Sequence, residues 1–198
     1  MDMLDNLFIG KLVKLTGPKT GDNDIIVNWG NRADYQRLLS MDPARPYTIE
    51  SLQEDDKRAR ERAENNYGFR IRTVADDKLI GFGDLHVEWS LQLCWLGIGI
   101  GDPEYWGKGY GSEAVTLMVN YAFRELNLFK VCLGVFEYNT RAYAAYLKVG
   151  FVEEGRQRQQ LLRDSRRWDM ILMGILRPEW EARQAAQAES APAAKVQS

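Results

Sequence analysis

A run of alternating glycines in the middle of the chain constrains most strongly what this sequence can fold into. The run is Trp106, Gly107, Lys108, Gly109, Tyr110 and Gly111, and it separates an apolar stretch from an amphipathic one. Glycine reaches backbone angles that are closed to other residues and lets the main chain approach a ligand closely. The first N–H groups of a helix have no intrahelical partners, and the helix dipole favours an anion at that end. The run therefore predicts a phosphate-binding loop between a strand and a helix.

Spacing excludes the two better-known phosphate loops. A Walker loop needs a glycine, four residues and then Gly-Lys-Ser/Thr, but Lys108 is followed by Gly109 and five residues separate Gly101 from Gly107. The dinucleotide fingerprint needs G-x-G-x-x-G, whereas this run reads G-x-G-x-G. A third kind of glycine loop is therefore required.

Composition limits the classes of partner and the cellular compartment. Lys and Arg total 26 against 28 Asp and Glu, and the net charge of −2 provides no field for holding nucleic acid or an anionic membrane. Cys94 and Cys132 lie in apolar runs without CxxC spacing, which predicts reduced, buried thiols. Residues 1–5 do not resemble a basic signal sequence, and no apolar run has the length of a membrane span. We therefore expect a cytoplasmic protein of one domain, or of one domain with a tail.

Hydrophobic periodicity predicts strands and helices along most of the chain. The apolar stretch over 91–100 suggests a strand buried on both faces. Pro178 is expected to end the ordered part, followed by a frayed helix or a disordered tail. The predicted strands cover 10–15, 69–74, 79–87, 91–100 and 130–136 and a closing hairpin of 156–162 with 168–176, and the predicted helices cover about 29–39, 48–65, 110–126 and 138–149.

A second motif follows the glycine loop. Residues 139–151 read Asn-Thr-Arg-Ala-Tyr-Ala-Ala-Tyr-Leu-Lys-Val-Gly-Phe. This resembles the second signature of the GNAT superfamily of N-acetyltransferases, N-x-x-A-x-x-x-Y-x-K-x-G-F. The acetyl-CoA loop of that family is Arg/Gln-x-x-Gly-x-Gly/Ala, in which Gly109 and Gly111 fill the small positions and Trp106 replaces Arg or Gln. The run over 105–110 resembles the corresponding run in the branch of the family that acetylates protein N-termini. Relatives of that branch act on polyamines and antibiotics.

The resemblance covers roughly residues 8–177 and implies a mixed α/β GNAT fold. We expect a central, mostly antiparallel sheet of about six to seven strands, splayed at the acetyl-CoA site and flanked by about four helices. Residues 1–177 would form the acetyltransferase domain and residues 178–198 the tail. An exposed edge strand near the closing hairpin could allow a homodimer.

The resemblance also implies acetyl-CoA as the cosubstrate, without a metal. The loop from Trp106 to Gly111 would hold the pyrophosphate, and Ile98 and Ile100 would lie along the pantetheine arm on the splayed strand. For Asn139 the sequence leaves two roles open, a hydrogen bond to the arm or capping of the next helix.

Acetyl transfer needs a neutral amine, N–H donors for the carbonyl oxygen and an acid for the departing thiolate. The resemblance points to Tyr146 as the acid, whose phenol has an ordinary pKa near 10. Many relatives carry a base where this chain has Trp95. Asp84, His86 and Glu88 alternate on the preceding strand and share a face. We expect one of these, with His86 and Glu88 as candidates, to take the proton directly or through water, unless the amine loses it before binding.

The predicted activity is therefore acetyl transfer to a primary amine by direct attack in a ternary complex. Both cysteines are expected to be buried and lack a nearby histidine, which disfavours a covalent acetyl-enzyme. The branch resemblance favours a protein or peptide N-terminal amine as acceptor. The alternatives are a small-molecule amine, such as a polyamine, an aminoglycoside or an amino acid, and a non-catalytic acyl-CoA sensor.

Overall fold

One mixed sheet organises the part of the chain that the computed structural model describes, residues 6–61 and 63–190. Its strands are β1 (Val13–Thr16), β2 (Asn66–Thr73), β3 (Leu79–Glu88), β4 (Leu93–Ile100), β5 (Lys130–Phe136), β6 (Val152–Arg163) and β7 (Arg166–Leu176). Their order across the sheet is β1-β2-β3-β4-β5-β7-β6. Every neighbouring pair is antiparallel except β4 with β5, which is parallel.

Helices cover both faces of this sheet. They are α1 (Asp22–Gly30), α2 (Ala33–Leu39), α3 (Ile49–Glu61), α4 (Tyr110–Arg124), α5 (Thr140–Val149) and α6 (Arg177–Ser190). The seven strands and the six helices of the described residues confirm the predicted mixed α/β fold, with two helices more than expected. Among these residues, no helix is both long enough and apolar enough to span a membrane.

The main hydrophobic core lies between the sheet and helices α4 and α5. Ala114, Met118 and Ala122 recur at helical spacing and are fully buried, as the amphipathic pattern predicts. Phe123 and Phe151 are the largest fully buried side chains of this core. The core therefore fixes α4 against one face of β3 and β4.

A smaller cluster lies on the opposite face, where α1, α2 and α3 cover part of the sheet. It joins Ile26, Trp29, Tyr35, Leu52 and Leu79. This cover is incomplete, so the prediction that 91–100 is buried on both faces is wrong. The Trp95 side chain in β4 is 40% exposed, because an apolar composition does not determine how far the helices of the second layer extend.

A carboxylate in the first turn of α4 holds the segment that leads into β1. Glu113 accepts hydrogen bonds from the N–H groups of Lys11, Leu12 and Val13 at 2.9, 2.7 and 2.8 Å. A β-carbon at Gly10 would lie 2.7 Å from this carboxylate, so a larger residue there would displace the hydrogen-bonded Glu113 side chain. The start of α4 and the start of the sheet edge therefore share one anchor.

Helix α6 begins at the predicted domain boundary and packs against the core. Trp180 lies 5.2 Å from Phe123 between ring centroids, and its Nε1–H donates to Asn120 Oδ1 at 2.8 Å. The described part of the expected tail is therefore helical and packed. Residues 191–198 of that tail and residues 1–5 lie outside the described residues, and the division into domain and tail stays a prediction.

Strand β6 lies at an edge of the sheet, next to β7. Its free edge carries backbone groups that could pair with another strand. The possible homodimer stays a prediction.

A buried ion pair joins α1 to β2, and its loss should destabilise the protein strongly. The Asp22 carboxylate, 3% exposed, accepts hydrogen bonds from the Arg72 guanidinium and from the Lys19 N–H. Asp22→Ala leaves a buried guanidinium without its anion, and we expect unfolding free energy to fall by about 3–5 kcal/mol. Asp24→Ala, an exposed acid in the same helical turn, should change it by about 0.5 kcal/mol or less. Urea denaturation measures both, and equal effects of the two variants would contradict the buried pair.

Candidate active site

The site begins where β4 separates from β5. Only three residue pairs join the two strands, the last being Trp95 with Cys132, although β4 continues to Ile100 and β5 to Phe136. We call the space between residues 96–100 and 133–136 the cleft. Backbone N–H and C=O groups that leave a ladder need other partners. The cleft can therefore accept an extended ligand with amide groups, and it confirms the predicted splayed sheet.

Two helix N-termini meet at the open end of the cleft. Since β4 and β5 are parallel, the loops that follow them lead to α4 and α5 at the same edge of the sheet. Gly107 and Gly109 have φ values of 71° and 91°, which glycine adopts readily, and Gly109 is the N-cap of α4. A β-carbon at Gly107 would meet no atom within 4 Å, so the loop surface is open. The α4 N-terminus can therefore receive a phosphate.

The residues predicted to bind the cofactor gather around this end. The side chains of Ile98 and Ile100 pack against the main core, so the backbone of β4 is what faces the cleft. Lys108 is exposed, Tyr110 begins α4 and Gly111 lies in its first turn. Asn139 caps α5, because its Oδ1 accepts the Ala142 N–H at 3.3 Å. Of the two roles that the sequence left open for Asn139, the structure shows the capping.

Trp106 folds back over the end of β4. Its indole N–H donates to the Ile100 carbonyl oxygen at 2.7 Å. The guanidinium of Arg141, from α5, lies 3.9 Å from the centre of its ring, and that of Arg32 lies at 5.5 Å. The contact with Arg141 joins the two sides of the cleft at its open end. Sequence reasoning missed Arg141, although it lies within the second motif.

Tyr146 projects from α5 into a largely desolvated position. Its ring centroid lies 6.0 Å from that of Phe151. Burial raises the pKa of the Tyr146 phenol to about 12, so the hydroxyl carries its proton at neutral pH. A general acid must be protonated when the leaving group departs, so a protonated Tyr146 is compatible with the predicted role.

The three candidate bases lie on β3, on the sheet face opposite α4. Asp84 pairs with Gly97, and His86 with Trp95, so they share a face as predicted. The Glu88 carboxylate accepts the Trp95 indole N–H at 3.1 Å, and His86 is exposed. A β-carbon at Gly97 would lie 2.8 Å from Asp84 Oδ1. Of the three side chains, that of Asp84 therefore lies opposite the part of β4 that lines the cleft.

The electrostatic surroundings of Asp84 favour its neutral form. Burial raises the pKa of its carboxyl above the ordinary value, and the nearby charge of His86 opposes this in part. A carboxylate with a raised pKa is a stronger proton acceptor than an exposed one. Asp84 therefore has a position and a basicity that suit proton removal.

Tyr35 of α2 is a second residue that sequence reasoning missed. It is 3% exposed, and within the described ranges its hydroxyl has no hydrogen-bond partner. A β-carbon at Gly99 would lie 2.5 Å from this oxygen, so the phenol contacts β4 beside the cleft. Burial raises its pKa. The helical spacing around Tyr35 predicts only a core residue, and no sequence signal marks its hydroxyl.

Helix α2 and the loop after it bridge the cleft on the Asp84 face. The Tyr138 hydroxyl, just after β5, donates to the Arg37 carbonyl oxygen. The Arg37 guanidinium pairs with Asp164, in the turn between β6 and β7, at 2.7 Å. Arg163, beside it, donates to three carbonyl oxygens of residues 40–42 at 2.7 to 3.1 Å. We call this bridge the arch, and it limits how an acceptor can reach the cleft.

Comparisons with known proteins agree with this geometry. The family model described as "Acetyltransferase (GNAT) domain" matches residues 13–152. The Bacillus subtilis protein named "Probable N-acetyltransferase YjcK" is 34% identical over 155 residues, which are 76% of this chain and 85% of that protein. The ribosomal protein uS5 alanine N-acetyltransferase of Escherichia coli is 30% identical over 94 residues, 48% of each chain. A crystal structure of spermidine N-acetyltransferase from Vibrio cholerae in complex with CoA and spermine matches with a TM-score of 0.76 and 26% identity, covering 85% of this chain and 98% of that one.

Two phenols at the cleft should respond in opposite directions to loss of their hydroxyls. Tyr35→Phe removes a buried hydroxyl without a described partner, and we expect unfolding free energy to rise by about 1 kcal/mol. Tyr138→Phe removes a hydroxyl that donates to a carbonyl oxygen, and it should lower this free energy by about 1 kcal/mol. Urea denaturation of the ligand-free protein compares the two. A loss of stability in Tyr35→Phe would show that this hydroxyl has a partner in solution.

Proposed function

We propose that this member of the GNAT family of N-acetyltransferases, which uses acetyl-CoA as its cosubstrate, acetylates the free α-amine of a protein or peptide. The named relatives act on different amines, a ribosomal protein in one case and spermidine in another. Family membership therefore leaves the acceptor open. The charge of the arch is the observation that carries our proposal.

The arch and the turn beside it hold more cations than anions. Five arginines lie there, Arg37, Arg45, Arg163, Arg166 and Arg167, against three acids, Asp34, Asp42 and Asp164. A polyamine carries several positive charges, which a cationic entrance repels. A polypeptide N-terminus brings one amine and a series of backbone carbonyl groups that can accept hydrogen bonds from guanidinium groups. The arch therefore favours a polypeptide over a polycation.

Two carboxylates favour the second candidate, a small polyamine. Asp84 and Glu88 lie on the same face of β3 and could attract an ammonium group. The Glu88 carboxylate already accepts the Trp95 indole N–H, so Asp84 is the one placed at the cleft. A single carboxylate can pair with one ammonium group, whereas a polyamine carries several. The chain has Tyr146, the candidate general acid, and this argues against the remaining alternative, a non-catalytic acyl-CoA sensor.

In the proposed mechanism, one proton transfer takes place on each side of the cleft. N–H groups of β4 that β5 does not pair would polarise the acetyl carbonyl group. The amine nitrogen forms a bond to the carbonyl carbon, the carbon–sulfur bond breaks, and Asp84 takes the proton that the amine loses. Tyr146 donates its proton to the departing sulfur. No charge is left on the products, and the two side chains recover their protonation states through solvent.

Neither cysteine suits a covalent intermediate in this scheme. Cys94 and Cys132 are buried free thiols. Burial raises the pKa of Cys94 to about 12 and also raises that of Cys132. Thiols attack as thiolates, and these groups stay protonated at neutral pH. Free buried thiols also accord with the reducing cytoplasm that we propose as the compartment.

The acceptor can be identified by release of the CoA thiol. We expect the protein to release thiol from acetyl-CoA when it is offered a peptide with N-terminal alanine. The same peptide with a blocked N-terminus should give none, because it has no free α-amine. Spermidine and an aminoglycoside serve as competing acceptors under the same conditions. Faster release with spermidine than with the free peptide would contradict the proposed acceptor.

The base assignment predicts a specific pH dependence. Asp84 accepts a proton only as a carboxylate, so activity should fall as the pH drops through its raised pKa, and Asp84→Asn should lose this limb of the profile. We expect kcat/KM of Asp84→Asn to fall by about 100-fold to 1,000-fold at neutral pH. His86→Gln and Glu88→Gln test the other two candidates in the same assay. A larger loss in either of them would transfer the role to that residue.

A further inference from the structure

Two glycines leave part of β4 without side chains on the sheet face opposite α4. Gly97 and Gly99 are two residues apart on the strand, so they share that face, at positions about 7 Å apart. A β-carbon at Gly97 would lie 2.8 Å from Asp84 Oδ1, and one at Gly99 would lie 2.5 Å from the Tyr35 hydroxyl oxygen. We call the strip of backbone at these two glycines the trough. A carboxylate borders one end of the trough and a phenol borders the other.

The phenol at the trough differs from two other tyrosines of the chain. The hydroxyl groups of Tyr138 and Tyr143 donate to the Arg37 carbonyl oxygen and to the Glu153 carboxylate. Tyr35 is 3% exposed, and its hydroxyl has no hydrogen-bond partner among the residues that the structure describes. Buried polar groups are rarely left in this state, and a role in binding or catalysis is one explanation for an exception. The Tyr35 hydroxyl can therefore donate a hydrogen bond to a ligand in the trough.

Leu39 lies next to this hydroxyl and can give a ligand access to it. A β-carbon at Gly99 would also lie 2.8 Å from Leu39 Cδ2. Leu39 is the last residue of α2 and is 38% exposed. Exposed side chains change rotamer rapidly, so this one can turn out of the trough. The trough can therefore open toward the arch without any movement of the sheet.

The spacing of the two polar groups fits one class of amine. The Asp84 carboxylate accepts hydrogen bonds from N–H groups, and the Tyr35 hydroxyl can donate to a carbonyl oxygen. In the first residue of a polypeptide, two carbon atoms separate the α-amine nitrogen from the carbonyl oxygen. With a hydrogen bond of about 2.9 Å at each end, this unit spans the trough from Asp84 to Tyr35. Lysine side chains and polyamines have no carbonyl group at that place.

We propose that Tyr35 determines acceptor specificity: its hydroxyl donates a hydrogen bond to the first carbonyl oxygen of the acceptor, whose α-amine contacts Asp84. The inference rests on the proposed function and adds the contact by which the protein distinguishes an α-amine from other primary amines. Asp84 contacts an N–H of the neutral amine, so the nitrogen keeps its lone pair for the thioester carbon. Tyr35 binds the acceptor and takes no part in the proton transfers.

A matched pair of acceptors tests this contact in the thiol-release assay. One is a peptide with N-terminal alanine. The other is the same peptide with a trans alkene in place of its first amide bond, which removes the carbonyl group without adding a charge. For Tyr35→Phe we expect kcat/KM to fall about tenfold with the first acceptor and to stay within about twofold with the alkene. Each acceptor is compared with itself in two proteins, so the different pKa values of the two amines cancel.

Tyr121→Phe is the matched control. The Tyr121 ring lies on the α4 face of the sheet, with its centroid 5.3 Å from that of Phe69 and 6.0 Å from that of Tyr67. Loss of its hydroxyl should leave kcat/KM with both acceptors within about twofold. Isothermal titration should give Tyr35→Phe the same affinity for CoA as the parent protein. A Tyr35→Phe protein that gains stability in urea and loses only peptide turnover has lost a ligand contact rather than a structural one.

Two results would overturn this inference alone. Equal losses with the two acceptors would show that the Tyr35 hydroxyl does not contact the carbonyl group. Unchanged kcat/KM of Tyr35→Phe with the peptide would show that the hydroxyl contacts no part of the acceptor. Either result leaves the proposed function intact as long as the parent protein prefers the peptide to spermidine. A parent protein that prefers spermidine would contradict the proposed function, and the inference with it.

Discussion

The early end of pairing between β4 and β5 is the constraint on which the whole site depends. Once the ladder stops after Trp95 and Cys132, the two strands no longer satisfy each other's backbone groups, and the Ile100 carbonyl oxygen accepts the Trp106 indole N–H instead. Because the two strands are parallel, the helices that follow them present their N-termini to the same opening. The cleft, the glycine loop and the stacked guanidinium are thus consequences of one interrupted parallel pair.

The two ends of the cleft have different electrostatic characters. At the open end, free helical N–H groups and Arg141 create a place for negative charge. Deeper in, Asp84 lies beside β4 in a desolvated position that suits an amine proton. A cosubstrate with anionic phosphates and a neutral thioester matches this gradient in one orientation only. The same sheet therefore carries both electrostatic environments along its strands.

Local patterns predicted some elements closely, but the helix predicted over 29–39 spans the break between α1 and α2. The strand Lys130–Phe136 agrees residue for residue, and the positive φ angles of Gly107 and Gly109 follow from the glycine spacing. The roles of Tyr35 and Arg141 depend on contacts between distant parts of the chain, which periodicity does not contain. The choice among the candidate bases likewise depends on register, since the residue opposite Gly97 is known only once β3 and β4 are paired.

The anchor at Glu113 couples the N-terminus of α4 to the far edge of the sheet. One carboxylate in the first turn of α4 holds three amides that lead into β1, so neither element can shift without breaking the same hydrogen bonds. Thermodynamic linkage is reciprocal, so a ligand that stabilises this turn by some free energy stabilises the attachment of β1 through it. Binding of a ligand at the glycine loop before α4 would then slow amide hydrogen exchange in β1, at the far edge of the sheet.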